Sequence, residues 1–199
     1  MPTDIPENIV SLDTMTAANH TPGHYPQLHW VSGMEPALNQ RWLIKSLFPK
    51  IGVGCIFGPS GTGKTFITAD IALHVAAGMN WGGRKTKQGT VFYLAAESPT
   101  SLINRISLWA DKKRGGNPNI PLALISRTVD LTSSVDDYDF LNSCALFAEK
   151  TRGPLGLIVI DTLARVMGEG DENQSKDMGA LISTCDGLRE EFNTFVLLV

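Results

Sequence analysis

From Trp42 onward, short apolar runs alternate with amphipathic stretches. Ile51-Gly52-Val53-Gly54-Cys55-Ile56-Phe57 predicts a strand that leads into a glycine-rich loop. Lys64 to Ala77 predicts a helix with Ile67, Ile71 and Val75 on one face and a stop at Gly78. Asn80-Trp81-Gly82-Gly83 marks a turn. Thr90 to Leu94 predicts a second strand. Ser98 as N-cap and Pro99 at the first helical position then open a second helix, which turns Leu102, Ile106 and Trp109 inward. Three more pairings of the same kind complete the pattern. Strands are expected at Leu122–Ile125, Leu157–Ile160 and Thr194–Val199, and helices at Ser134–Lys150 and Lys176–Phe192. The strands are apolar on both faces. That is the mark of an α/β fold with a parallel sheet covered by helices on both sides.

The first 35 residues break this pattern. Pro2, Pro6, Pro22 and Pro26 remove backbone donors from a segment without periodicity, so residues 1–35 are expected to be a flexible tail and 36–199 the core. His20, His24 and His29 lie in the tail with no cysteine or acid at ligand spacing, and read as solvated side chains. No stretch has the form of a signal peptide or the length of a membrane span, which leads to the expectation of a cytoplasmic protein with no membrane partner. The net charge is -3; residues 1–40 hold four acids and no Lys or Arg, leaving 17 bases against 16 acids in the remainder. That balance does not suggest a broad nucleic-acid surface. Cys55, Cys144 and Cys185 are widely spaced and read as buried, reduced thiols.

Of the 19 glycines, nine fall between Gly52 and Gly89, and they cluster on one motif. Gly58-Pro59-Ser60-Gly61-Thr62-Gly63-Lys64-Thr65 matches GxxxxGK[ST], the Walker A phosphate loop. Phosphate oxygens must be met by several converging backbone N–H groups, and Gly58, Gly61 and Gly63 let the chain curl closely enough to supply them. The helix that follows adds its free N-terminal donors and the positive end of its dipole. Lys64 is expected to reach the β and γ phosphates, and the Thr65 hydroxyl to bind Mg²⁺.

Phosphoryl transfer also needs a carboxylate for the metal and a group to position the attacking water. Leu157-Ile158-Val159-Ile160-Asp161 is an apolar strand ending in an acid, the Walker B pattern, and would put Asp161 at the carboxyl edge of a parallel sheet. The plainer role for Asp161 is to start a turn before Thr162. Glu97 leaves the end of the second strand and is the candidate to polarise water; its alternative is an acid stabilising a helix start. Trp30, Trp42 and Trp81 are aromatic candidates near the start of the core, with packing as their simpler role.

Together these residues resemble the RecA-like P-loop ATPases. Within that group the chain is most similar to the RepA-type replicative helicases of plasmids and phages, which are AAA-type ATPases. The likeness is carried by Trp42-Leu43-Ile44-Lys45, by Gly89 to Glu97 and by Val159-Ile160-Asp161-Thr162-Leu163-Ala164-Arg165, and covers about Arg41 to Val199. It implies a ring-forming, often hexameric motor that binds ATP and Mg²⁺ and moves single-stranded DNA. In that resemblance Glu97 is the catalytic glutamate and Asp161 holds the metal shell. Arg165 lies near the nucleotide or a subunit interface, or is a plain surface residue. Arg105 orients the glutamate loop, or lies on a solvated helix face. In the family, the strand corresponding to Phe195–Val199 is followed by sensor residues, DNA-contacting loops and an arginine or lysine finger, and these are not found here. The expectation is therefore a core incomplete at its C-terminus, from a fragment or a truncated gene product. Two other functions remain open: a nucleotide-dependent regulatory or interaction module with little turnover, and a RecA-like ATPase of recombination or signalling.

Overall fold

The structure is a computed structural model. It describes residues 40–96, 99–114, 120–127, 129–151, 153–170 and 174–199, with backbone alone at 99, 113–114 and 134–137. The tail expected over 1–35, with His20, His24, His29 and Trp30, lies outside the described residues, as do Glu97 and the capping Ser98. No helix among the described residues is long and apolar enough to cross a membrane.

Seven strands and four helices make up the described fold. The strands are β1 (Trp42–Ile44), β2 (Phe48–Pro49), β3 (Gly52–Cys55), β4 (Thr90–Ala95), β5 (Leu122–Ile125), β6 (Leu155–Asp161) and β7 (Phe195–Leu198). The helices are α1 (Lys64–Ala77), α2 (Pro99–Arg114), α3 (Ser134–Thr151) and α4 (Ser175–Phe192). The last five strands pair in parallel in the order β3-β7-β6-β4-β5. Chain order and sheet order differ because each helical crossover carries the chain over the sheet before the next strand docks.

Strand residues alternate between two cores. Val91, Tyr93, Leu157, Val159, Phe195 and Leu197 face Ile71, Ala72 and Val75 of α1 and Leu102 of α2. Phe92, Leu94, Ile158, Ile160, Val196 and Leu198 face Phe140 and Cys144 of α3 and Leu181, Cys185 and Leu188 of α4. Helices therefore cover both faces, and the central strands β6, up to its closing Asp161, and β7 are apolar because neither face meets water.

Three details depart from the sequence reading. β3 is shorter than expected, with Ile51 and Phe57 exposed on either side of it. The buried face of α1 runs through Thr68, Ile71, Ala72 and Val75, and Ile67 is exposed. Four residues turn a helix by about 400°, so successive i+4 positions drift by about 40° and Ile67 falls off the stripe that Val75 occupies. Cys144 and Cys185 are buried, but Cys55 is exposed, because it lies on β3, the edge strand of the sheet as described. The end of α1 agrees with the reading: Gly78 is left-handed at φ 68, with the Gly78 N–H on the Val75 carbonyl and the Met79 N–H on that of His74.

Candidate nucleotide site

β3 delivers the chain to the phosphate loop at the carboxyl edge of the sheet, and α1 starts at Lys64. Gly61 and Gly63 have φ of 77 and 89, in the left-handed region that a side chain occupies only at a cost of about 1–2 kcal/mol. A Cβ at either would meet nothing within 4 Å. Within the chain itself, then, these glycines answer a conformational demand and no steric one. The Thr62 hydroxyl donates to the Pro59 carbonyl at 2.8 Å. The Lys64 ammonium donates to the carbonyls of Gly58 at 2.7 Å and Pro59 at 3.1 Å. The loop thus curls around its own lysine, whose donors are already gathered where an anion would sit.

β6 ends on Asp161, which is only 4% exposed. The Thr65 hydroxyl donates to Asp161 Oδ1 at 3.2 Å, and the Tyr93 hydroxyl donates to Oδ2 at 2.6 Å. Tyr93 is fully buried. Burial, with the charge of Asp161 and the hydrogen bond to it, pushes the phenol far above its ordinary range; the charge of Arg105 acts in the opposite sense. The tyrosine hydroxyl is therefore a fixed donor to the carboxylate. Sequence reading missed Tyr93, because an aromatic inside an apolar strand reads as core. The signal was its parity: Ala95 pairs with Asp161 and Tyr93 with Val159, so Tyr93 and Asp161 share one face of the sheet.

A cleft of 310 Å³ opens between the phosphate loop, the ends of β4 and β6 and the start of α2. Lys64, Thr65, Asp161, Ser101 and Arg105 line it. The Arg105 guanidinium lies 3.3 Å above the ring of Phe66, a cation–π contact that holds the charge at the cleft wall. Arg165 is exposed on a short 3-10 turn, Leu163–Arg165, and is not part of that wall. The Ala96 N–H donates to the Asp161 carbonyl at 2.7 Å, so the chain leaves β4 beside the aspartate; Glu97 follows, outside the described residues.

A hydroxyl and a carboxylate in contact are hard oxygen donors, which suit Mg²⁺ better than a softer metal. No group of three or more His, Cys, Asp or Glu that could hold a metal occurs among the described residues. Such donors fit an ion that arrives with phosphate oxygens and water.

A five-stranded parallel sheet with helices on both faces and a phosphate-loop sequence at its carboxyl edge is the RecA-like α/β fold. A family model described as an AAA domain matches residues 19–199, and the chain belongs to that family. Among solved structures it is similar to a KaiC-like protein from the hyperthermophilic archaeon Pyrococcus horikoshii OT3. The TM-score is 0.50 and the identity 18%, over 79% of this chain. This chain spans 64% of the length of that one. No curated protein matches.

Proposed function

We propose that the chain binds Mg-ATP in this cleft and hydrolyses it, as the motor core of a DNA replication helicase. The carrying observation is the Thr65–Asp161 hydrogen bond, which joins two motifs 96 residues apart into one donor set. Lys64 leaves its loop carbonyls for the β and γ phosphate oxygens. Backbone N–H groups of Gly61 to Thr65 meet the remaining phosphate charge at the N-terminus of α1. Thr65 and Asp161 hold Mg²⁺, which would neutralise charge developing on the phosphates when bound. Tyr93 keeps the Asp161 carboxylate in one orientation. Glu97 takes the proton of the attacking water, and Arg105 stands at the wall as a counter-charge.

The helicase assignment draws on the resemblance of the β4 and β6 stretches to replicative helicases, with a homo-oligomeric ring, single-stranded DNA as track and a cytoplasmic setting. In such a ring the exposed Arg165 would meet a neighbouring subunit, as the resemblance implies. The test is steady-state ATPase activity with and without single-stranded DNA. Glu97→Gln is expected to keep Mg-ATP binding and to lose about 10²- to 10⁴-fold in turnover. Stimulation by DNA and unwinding of a forked duplex are expected from the full motor. Hydrolysis that DNA leaves unchanged would remove the helicase part of the reading and keep the ATPase part.

A further inference from the structure

The near-neutral total hides a strong polarity. Between Gln40 and Gly89 there are seven Lys and Arg and a single acid, Asp70. Apart from Lys64, all these bases fall on two short segments far apart in sequence, 41–50 and 84–87, which the fold brings together.

β1 pairs antiparallel with β2, and a bridge between Ile44 and Thr86 lays the 84–87 segment along the other side of β1. The Lys45 N–H donates to the Lys85 carbonyl at 2.9 Å, and the Lys87 N–H to the Leu43 carbonyl at 2.8 Å. On the β2 side the Lys50 N–H donates to the Arg41 carbonyl at 2.9 Å. Gly82 and Gly83, with φ of 53 and 74, form the two-residue turn between the bridged Trp81 and Arg84 that makes this pairing possible. The result is a two-stranded ribbon with the bridged 84–87 segment along its other side, setting Lys45 beside Lys85 and Arg41 beside Lys50. Like charges set across neighbouring strands destabilise a sheet. Among the described residues no acid pairs with them: the ion pairs there are His74 with Asp70, and Arg189 with Asp186 and Glu190. Asp70 accepts from the Trp81 indole at 2.8 Å and faces His74. Arg84 donates to a carbonyl, that of Lys45 at 3.3 Å.

The ribbon lies at the opposite end of the sheet from the phosphate loop. β3 runs from it to the loop, and α1 runs back from the loop over 14 residues, or about 21 Å. Its bases therefore do not serve the nucleotide cleft. Trp42, only half-buried, stands beside Arg41, while Trp81, also half-buried, packs against the core. Cations spaced along neighbouring strands with an aromatic ring beside them match a single-stranded nucleic acid, whose phosphates meet the charges and whose bases stack. An acidic peptide would use the charges and leave that ring idle.

We infer that this ribbon is a binding surface for the phosphate backbone of single-stranded nucleic acid. Arg41, Lys45, Lys50, Arg84, Lys85 and Lys87 supply the charge, and the surface is separate from the ATP site. The partner rests on the nucleic-acid part of the function proposed above.

The experiment uses the full chain and fluorescein-labelled oligo(dT) of about 20 nucleotides, read by anisotropy without nucleotide at about 50 to 200 mM salt. Six cations predict a log–log salt slope near -4, at about 0.7 per phosphate contact. In K45Q/K85Q/K87Q the slope is expected to fall by about 2, with binding at least ~10-fold weaker at the lowest salt. Its melting temperature is expected to hold or rise, because like-charge neighbours are relieved, and Mg-ATP binding is expected to be unchanged. An unaltered slope in the variant, no binding by the wild type, or equal competition by poly-glutamate of the same charge would each overturn the proposal. So would a concurrent loss of Mg-ATP binding, which would trace the effect to misfolding. ATPase failure with oligonucleotide binding intact would speak against the motor reading alone.

Discussion

At the residue scale the site turns on two side chains that the apolar pattern treats very differently. Lys64 is half-buried and outside the core clusters, and its hydrogen bonds are to the Gly58 and Pro59 carbonyls, so truncating it does not disturb the core. A charge-assisted hydrogen bond is worth roughly 1.5–3 kcal/mol, so Lys64→Ala is expected to weaken Mg-ATP binding by about 100-fold while leaving the melting temperature near that of the parent. Calorimetry decides it, and unchanged affinity would dismiss the phosphate-loop assignment. Lys64 and Thr65 could be singled out because a phosphate loop has a fixed spacing, and Asp161 because it ends an unbroken apolar run. Tyr93 could not, because what ties it to the cleft is a neighbour 68 residues away that only strand register supplies. Groups that orient metal ligands commonly shift metal affinity by 10- to 100-fold when removed. Tyr93→Phe is accordingly expected to raise the Mg²⁺ concentration needed for half-maximal nucleotide binding by roughly that range, with little change at saturating Mg²⁺. A Mg²⁺ midpoint that does not move would make the tyrosine a core residue and nothing more.

At the element scale, the same substitution should have opposite signs at two glycines. Gly63 precedes α1 at φ 89, and an added Cβ there meets no atom within 4 Å, so the whole penalty is conformational. Gly63→Ala is expected to destabilise by about 1–2 kcal/mol. Gly179 lies inside α4, also with open space around an added Cβ and without a positive φ. There alanine is expected to stabilise by roughly 0.5–1 kcal/mol, because glycine has the larger unfolded-state entropy. Urea denaturation of the two variants checks both signs; equal shifts would show that the loop tolerates a side chain. The helices and central strands could be read from the sequence because burial on two faces leaves unbroken apolar runs, and the helix stop at Gly78 follows from local chemistry. The β1–β2 ribbon could not. Its strands are three and two residues long, one contains Pro49, and the 84–87 segment is tied in by bonds from Lys45 to Lys85 and from Lys87 to Leu43. Nothing periodic survives at that length, and the pairing is non-local. Strand order was hidden for the same reason: that β7 docks between β3 and β6 depends on crossovers, not on composition.

At the scale of the whole molecule, the sheet joins the two cores and places the candidate site where both depend on it. Asp161 ends the central strand β6; Val159 of that strand packs with α1 and α2, while Ile158 and Ile160 pack with α3 and α4. Thr65 ties α1 to the same carboxylate. A ligand gripping this junction stabilises every element hung from it, so the described core should melt as one unit with ligand as without. Binding to the folded state alone adds about 2.7 kcal/mol at a ligand concentration 100 times the dissociation constant. For a chain of this size each kcal/mol moves the midpoint by about 2–4 °C, so saturating Mg-ATP is expected to raise it by roughly 5–10 °C. Tryptophan fluorescence and far-ultraviolet circular dichroism should report the same shift, because no core is insulated from the sheet. Lys64→Ala should abolish the shift, and K45Q/K85Q/K87Q should keep it in full, since the ribbon stands at the other end of α1. Two separated transitions, only one of them moved by Mg-ATP, would mean that the helices on the two faces unfold independently and that the nucleotide grips one layer of the molecule, not its centre.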